Sequence, residues 1–324
     1  MEQIGFDENV IQEYRLTSKP TFTIKLEGKE NYSMTGNSRI GGVPDLPIDL
    51  EYPAIKDGQT IKYYVFIAQI NLADIPFDPN SIYPNSGILY FYIHNDDDSM
   101  SKVEHLVIYS NSSPNQLKKF VPKENIIYTQ TNYNRPFPSQ KISFKKEESI
   151  DLHHLEDKGQ DILQSNDKFY EVFERTSRFG GHYYSVDTNI PAGIIQELEI
   201  LPYEETFFLT RGYLTGDKLY ANSNQMHFDY YENKIKEAQT EEEKASYQKS
   251  IKELEDKIEL EKKLLPKKEF YIDLLNKWEF MLAIDSIDEC EMLWWDASIL
   301  EFYINKDDLL KKDFTKTFCI INHR

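Results

Sequence analysis

A ten-residue stretch occurs twice in this chain, and that recurrence constrains the fold more than any other feature. Ile88-Leu-Tyr-Phe-Tyr-Ile-His-Asn-Asp-Asp97 returns as Ile299-Leu-Glu-Phe-Tyr-Ile-Asn-Lys-Asp-Asp308, with seven of the ten positions identical. Each copy alternates with the period of a strand. Leu89, Phe91 and Ile93 share one face, as do Leu300, Phe302 and Ile304, while Tyr90 and Glu301 take the other. Two more anchors keep the same order. Ser38-Arg-Ile-Gly-Gly42 recurs as Ser177-Arg-Phe-Gly-Gly181, and Phe66-Ile-Ala-Gln-Ile-Asn71 is echoed by Phe280-Met-Leu-Ala-Ile-Asp285. Three anchors in one order point to duplication of a whole unit rather than reuse of one strand.

The spacing also locates an insertion. Gly41 and Gly180 lie 139 residues apart, but Phe66 and Phe280 lie 214 apart, so the second copy holds about 75 extra residues between its glycines and its strand pair. There Ile251, Leu254, Ile258 and Leu265 follow helical spacing, with Glu261 on the same stripe and Pro266 ending the run. Tyr231, Ile235 and Ala238 form a second stripe, and Thr240 and Glu243 have the spacing of a capping box. A helical hairpin is expected, roughly 226–239 and 241–265. Residues 229–268 carry 11 acidic and 10 basic side chains, so this arm is charge-mixed and nearly neutral.

The predicted fold class is therefore α+β: one β-rich body of two pseudo-symmetric repeats with mixed or antiparallel sheets, plus the inserted hairpin. A single body over 1–324 is expected. Repeat one covers about 18–110, a connecting region about 111–160, and repeat two about 161–324, interrupted at about 226–265. Further strands are expected at Thr21–Leu26, Tyr63–Ile70, Val103–Tyr109 and Lys141–Phe144, and short helices at 7–17 and 161–175. The 22 tyrosines and 19 phenylalanines suit a sheet-rich core.

Charge and cysteine narrow the function classes. A net charge of −18 argues against a nucleic-acid binder and against docking on anionic lipid; it favours, at most, a basic protein partner. Two cysteines, Cys290 and Cys319, make no disulfide framework and read as free thiols in a reducing compartment. The first residues show no basic region followed by an apolar core, and no apolar run approaches the ~20 residues that span a bilayer. The expected location is cytoplasmic.

The Ser-Arg-x-Gly-Gly pair has two readings. Glycines let backbone N–H groups approach an anion that Arg39 or Arg178 could pair with. Alternatively, Gly41, Gly42, Gly180 and Gly181 supply left-handed turns that the arginines tie down, with Pro44 and Pro47 fixing the loop after the first. Recurrence in both copies favours the turn. His182 directly follows the second pair, and Trp294-Trp295-Asp296 offers either a ligand wall or a core tryptophan followed by a turn. The acidic run after Asn95 lacks the glycine and distal glutamate of a calcium loop. The histidines have no metal spacing, and nucleophile-elbow, dinucleotide and phosphate-loop motifs do not occur. No catalytic residue, metal or cofactor is assigned. The binding candidates are Arg39, Arg178, His182, Trp295 and Asp296.

Gly41-Gly-Val-Pro-Asp-Leu-Pro47 with Tyr52-Pro53, then Phe66-Ile-Ala-Gln-Ile70 and Gly87-Ile-Leu-Tyr-Phe91, resemble the YwqG-like family, a bacterial family of unknown function. In the second half the likeness rests on Gly180-Gly181, Ala283-Ile-Asp-Ser286, Trp295-Asp296 and Phe302-Tyr-Ile304, and it continues from Asp307 to Phe314. The family's Gln-Ile-Asp-Ser and Trp-Gly-Asp-x-Gly are here Ala283-Ile-Asp-Ser286 and Trp295-Asp-Ala-Ser298. The resemblance implies a mixed α/β body of two repeats, no established reaction, and some relatives in toxin and immunity neighbourhoods. The expected function is a non-enzymatic, immunity-type interaction module. The alternative is a small-molecule-binding protein or enzyme with a cleft between the repeats.

Overall fold

The structure is a computed structural model and describes residues 18–79, 81–95, 103–122, 127–128, 136–149, 176–182, 190–210 and 225–322, together with 11–12 and 15–16. The helices expected over 7–17 and 161–175 fall on residues that lie mostly or wholly outside these. The chain forms two compact units. The first comprises Met1–Leu152, Asp161–Tyr184 and Trp278–Arg324; the second comprises His153–Gln160 and Ser185–Lys277. The described elements are helices and largely antiparallel sheet, with β10 and β5 the one parallel pair among the described strands, as suits an α+β chain.

The first unit holds every described strand: β1 Lys19–Lys29, β2 Arg39–Ile40, β3 Asp45–Pro47, β4 Ala54–Asp57, β5 Thr60–Tyr63, β6 Val65–Asn71, β7 Ile88–Asn95, β8 Glu104–Ser110, β9 Leu117–Lys119, β10 Ile127–Tyr128, β11 Gln140–Ser149, β12 Arg178–Phe179, β13 Trp278–Asp285, β14 Ile299–Asn305 and β15 Thr317–Asn322. Ten of them make one sheet in the order β15-β14-β13-β12-β1-β11-β2-β6-β7-β8, flanked by a three-stranded β10-β5-β4 sheet and the β3-β9 pair. Its edges come together: Val103 N–H donates to the Cys319 carbonyl at 2.8 Å, and a ring nitrogen of His105 lies 3.0 Å from Thr317 Oγ1. The sheet is thus nearly closed into a barrel, which relieves the open-edge hazard of a long sheet.

Strand alternation sets the core. Leu89, Phe91, Ile93, Leu300, Phe302 and Ile304 all enter one buried cluster, where the Phe91 and Phe302 rings meet edge-on at 4.9 Å. Tyr90 and Tyr92 turn to the other face and pack with Leu46, Phe66 and Leu117. The strand order reads outward from β1 and β11 in matching steps. β2 and β12 pair next to β6 and β13, and β7 and β14 follow. The β6–β7 ladder shifts register between Phe66 and Ala68, and the β13–β14 ladder does so between Phe280 and Leu282. β1, the first described strand, pairs with β12, whereas β11 pairs with β2.

In the second unit, α1 Ile190–Glu197 and α2 Tyr203–Thr210 are followed by α3 Gln225–Glu237, α4 Glu241–Leu264 and α5 Lys268–Asn276. Glu243 N–H donates to Thr240 Oγ1 at 3.1 Å, and Thr240 N–H donates to Glu243 Oε2 at 3.3 Å, closing both arms of the capping box that starts α4. Leu254, Glu261 and Leu264 are the buried residues of α4, and the Tyr231 and Tyr247 rings of α3 and α4 lie 6.3 Å apart. Glu205 of α2 accepts hydrogen bonds from Tyr271 and, at 3.2 Å, from Lys267; the Tyr271 bond leads in holding its carboxyl below the usual range.

Candidate functional site

Each Ser-Arg-x-Gly-Gly segment is a two-residue strand that ends in a left-handed turn. Gly41 and Gly42 have φ of 68° and 73°, and Gly180 and Gly181 have 65° and 94°, a region that L side chains rarely occupy. The same bonds recur. Gly41 N–H donates to the Ile67 carbonyl at 2.8 Å and Gly180 N–H to the Met281 carbonyl at 2.9 Å. Ser38 Oγ accepts from Asn71 N–H at 2.8 Å, and Ser177 Oγ from Asp285 N–H at 2.9 Å.

The arginines diverge. Arg39 is fully buried and donates to the Val43 carbonyl at 3.0 Å, to Asn37 Oδ1 at 2.8 Å and to Asp45, with Glu30 Oε2 at 3.9 Å from its Nε. Gln69 and Tyr90 close the net by bonding the Asp45 backbone at 2.7 Å each. These partners are spent on a buried charge cluster, as a desolvated guanidinium needs. Arg178 donates to the His182 carbonyl at 3.3 Å and stacks 4.9 Å from the Phe280 ring centroid. At the position matching Gln69 the second copy has Ala283.

The five binding candidates sit in different surroundings in the described structure. Arg39 and Arg178 are buried as structural ties, and His182 is half-buried with its N–H on Ser149 Oγ at 2.8 Å. Trp295 and Asp296 are exposed on the loop Ser286–Ser298. That loop alternates. Met292 and fully buried Trp294 point inward, where the Trp294 ring meets Phe137 at 6.1 Å and Nε1 donates to the Asp285 carbonyl at 3.1 Å. Leu293 and Trp295 point outward, 58% and 52% exposed, among exposed Asp288, Glu289, Glu291 and Asp296. No basic residue occurs between Lys277 and Lys306. Glu291, Trp295 and Ala297 have φ of 52°, 44° and 56°, so three side chains within seven residues are held in a strained backbone region.

The counterpart loop, between β6 and β7, contributes Phe77 and Tyr83, whose rings stack 5.8 Å apart against Phe22 and Phe179. Beside them, and against Gly180 and Gly181, lies a cleft of about 500 Å³ edged by Lys19, Glu279 and Lys306. Sequence reasoning passed over these three charges, which come from the start of β1, from β13 and from the helix start that follows β14, and share no motif. Burial pushes the Cys290 thiol up to about 12, and burial also raises Cys319 well above its usual value. Among the described residues no cluster of three or more His, Cys, Asp or Glu is arranged to hold a metal ion, and no helix is long and apolar enough to cross a membrane.

The family described as "Domain of unknown function (DUF1963)" matches residues 38–322. The chain belongs to this family. The match runs from the first Ser-Arg-x-Gly-Gly segment to the end of β15, so it takes in both turns and both loops of the DUF1963 body. No curated protein matches the chain.

Proposed function

We propose that this DUF1963 protein is a non-enzymatic, cytoplasmic interaction module, of the immunity type that the YwqG-like resemblance suggests, which docks a basic partner protein on the loop Ser286–Ser298. One observation carries the reading: Leu293 and Trp295 stand exposed on a strained loop whose only charges are acidic. Tryptophan anchors dominate protein interfaces energetically, and a rim of like charge steers a partner of opposite sign. The net charge of −18 extends the same field over the molecule. Two free, buried cysteines fit a reducing compartment.

The architecture behind this reading is inferred to be a duplicated unit with an inserted hairpin. Support comes from the matched bulges, the matched turn bonds and the strand order about β1 and β11. For the hairpin, support comes from the three-residue connection between α3 and α4 and the Tyr231–Tyr247 contact.

The test places a photo-crosslinking amino acid at position 295 and captures partners from the native cytoplasm at low and high salt. The expected result is one basic protein, crosslinked through position 295 at low salt, whose capture by otherwise native protein falls at least tenfold on Trp295→Ala. Capture that ignores both salt and Trp295→Ala, or no crosslink from this loop, overturns the reading.

A further inference from the structure

The cleft beside Gly180 and Gly181 contains a buried carboxylate that the fold does not need. Glu279 is the second residue of β13, 6% exposed, and faces Ile304 across the ladder. Its counterpart in the first strand pair is Val65, 1% exposed and facing Ile93. The same backbone position is therefore filled by an apolar side chain in one half of the sheet. A buried carboxylate is costly there unless it is paired. It is paired twice: Lys19 Nζ lies 3.2 Å from Oε2 and Lys306 Nζ lies 2.9 Å from Oε1.

This triad sums to one positive charge, and its chemistry is directional. Both carboxylate oxygens of Glu279 are engaged, so the glutamate has little left to offer a cation. Each ammonium carries three N–H donors and uses one of them on Glu279. The two lysine side chains are 44% and 41% exposed and both line the cleft, so their remaining donors are open to a ligand there. Asp78, the other carboxylate on the rim, has Lys146 Nζ at 2.6 Å.

The same cleft has an aromatic wall. Phe77 and Tyr83 stack at 5.8 Å, Phe22 meets Phe77 edge-on at 5.1 Å, and Tyr83 is fixed by its hydroxyl donating to the Phe280 carbonyl at 2.8 Å. Gly180 adds no side chain, and a methyl there would still find its nearest neighbour at 3.8 Å. About 500 Å³ falls in the range of small-molecule sites, and an apolar wall with a few convergent polar groups is their usual make-up.

We infer that this cleft is a binding site for a small amphipathic monoanion, an aromatic carboxylate in chemical class, with its ring on Phe77 and Tyr83 and its carboxylate between Lys19 and Lys306. At the counterpart end of the sheet Val65 stands in place of Glu279, and Trp294 packs against Phe137.

The test is calorimetric titration of the full chain with phenylacetate and indole-3-acetate, with the matching neutral amides and phenethylamine as controls. The carboxylates bind, the amides bind at least tenfold more weakly, and the amine does not compete. Lys306→Met and, separately, Lys19→Met each weaken the carboxylates at least tenfold while leaving the residual amide affinity unchanged. Because the amide comparison is made on native protein, it decides the matter even if one variant fails to fold. Equal affinity for acid and amide, tighter binding of the amine, or no carboxylate binding at 10 mM would overturn the assignment.

Discussion

The two Gly-Gly turns begin with the same backbone and end with different surroundings. At the first, Arg39 is enclosed by Asn37, Asp45 and Glu30, and a Cβ on Gly41 would sit 2.3 Å from the Pro138 carbonyl oxygen. At the second, Arg178 leans on the Phe280 ring and the His182 carbonyl, and a Cβ on Gly180 would meet nothing closer than 3.8 Å. The loops beyond them differ likewise. Ser286–Ser298 sends Trp294 inward to fill its end of the sheet and displays Trp295, whereas the β6–β7 loop leaves a cleft. The two halves share their turn bonds, and the departures between them give the exposed Trp295 loop on one side and the cleft on the other. The lesson is general: where a duplicated frame keeps its bonds and changes its side chains, the changes are the place to look for function.

The sharpest way to break this comparison is to remove each arginine. Arg39→Met strands the Asp45 and Glu30 carboxylates in the core and should cost about 3–5 kcal/mol in urea denaturation. Arg178→Met loses a cation–π contact and a hydrogen bond and should cost about 1–2 kcal/mol. Equal costs would mean that the two turns are structurally equivalent after all. The paired tryptophans sharpen the loop comparison. Trp294→Ala should destabilise by about 3–5 kcal/mol through the cavity it leaves. Trp295→Ala, at an exposed position, should stay within about 0.5 kcal/mol of the parent.

The glycines give a smaller difference. Both Gly41→Ala and Gly180→Ala carry the left-handed penalty of about 1–2 kcal/mol, and thermal denaturation should show a further loss only for Gly41→Ala, from its clash with Pro138. The smallest expected signal concerns the thiols. With Cys290 raised to about 12 by burial, its thiolate fraction at pH 8 is reduced ~1,000-fold from that of an ordinary thiol, so iodoacetamide should label it only after denaturation. Labelling should rise with pH as the thiolate forms, and fast labelling of the native protein near pH 8 would show that the loop opens.

Much of the frame was legible in the sequence. Period-two alternation at Ile88–Ile93 and Ile299–Ile304 put the right residues in the core, and Thr240 with Glu243 marked the start of α4. The strand partners were not legible. β1 lies beside β12 because pairing is decided by tertiary closure of the sheet, which no local pattern encodes. Among the candidates, Trp295 and Asp296 stand out in the sequence because neighbouring tryptophans before an acid are conspicuous, although which ring faces out depends on the loop's alternation. Lys19, Glu279 and Lys306 left no signal because they meet only in three dimensions. Val65 against Glu279 was the one available clue: an aligned position that changes from apolar to charged between two copies.

The measurement that bears most directly on the central claim is the affinity and association rate of the crosslinked partner, purified, for four forms of the protein. These are the parent, Trp295→Ala, Leu293→Ala and a variant with Asp288, Glu289, Glu291 and Asp296 all neutralised to amides. Docking on the acidic loop predicts that Trp295→Ala weakens affinity about 30-fold through faster dissociation, as an anchor in a desolvated pocket does. It predicts that Leu293→Ala has a smaller effect of the same kind. The neutralised variant should associate more slowly and lose most of its salt dependence, with dissociation nearly unchanged. Affinities and rates that are the same for all four forms would contradict the account and remove this loop from the interface.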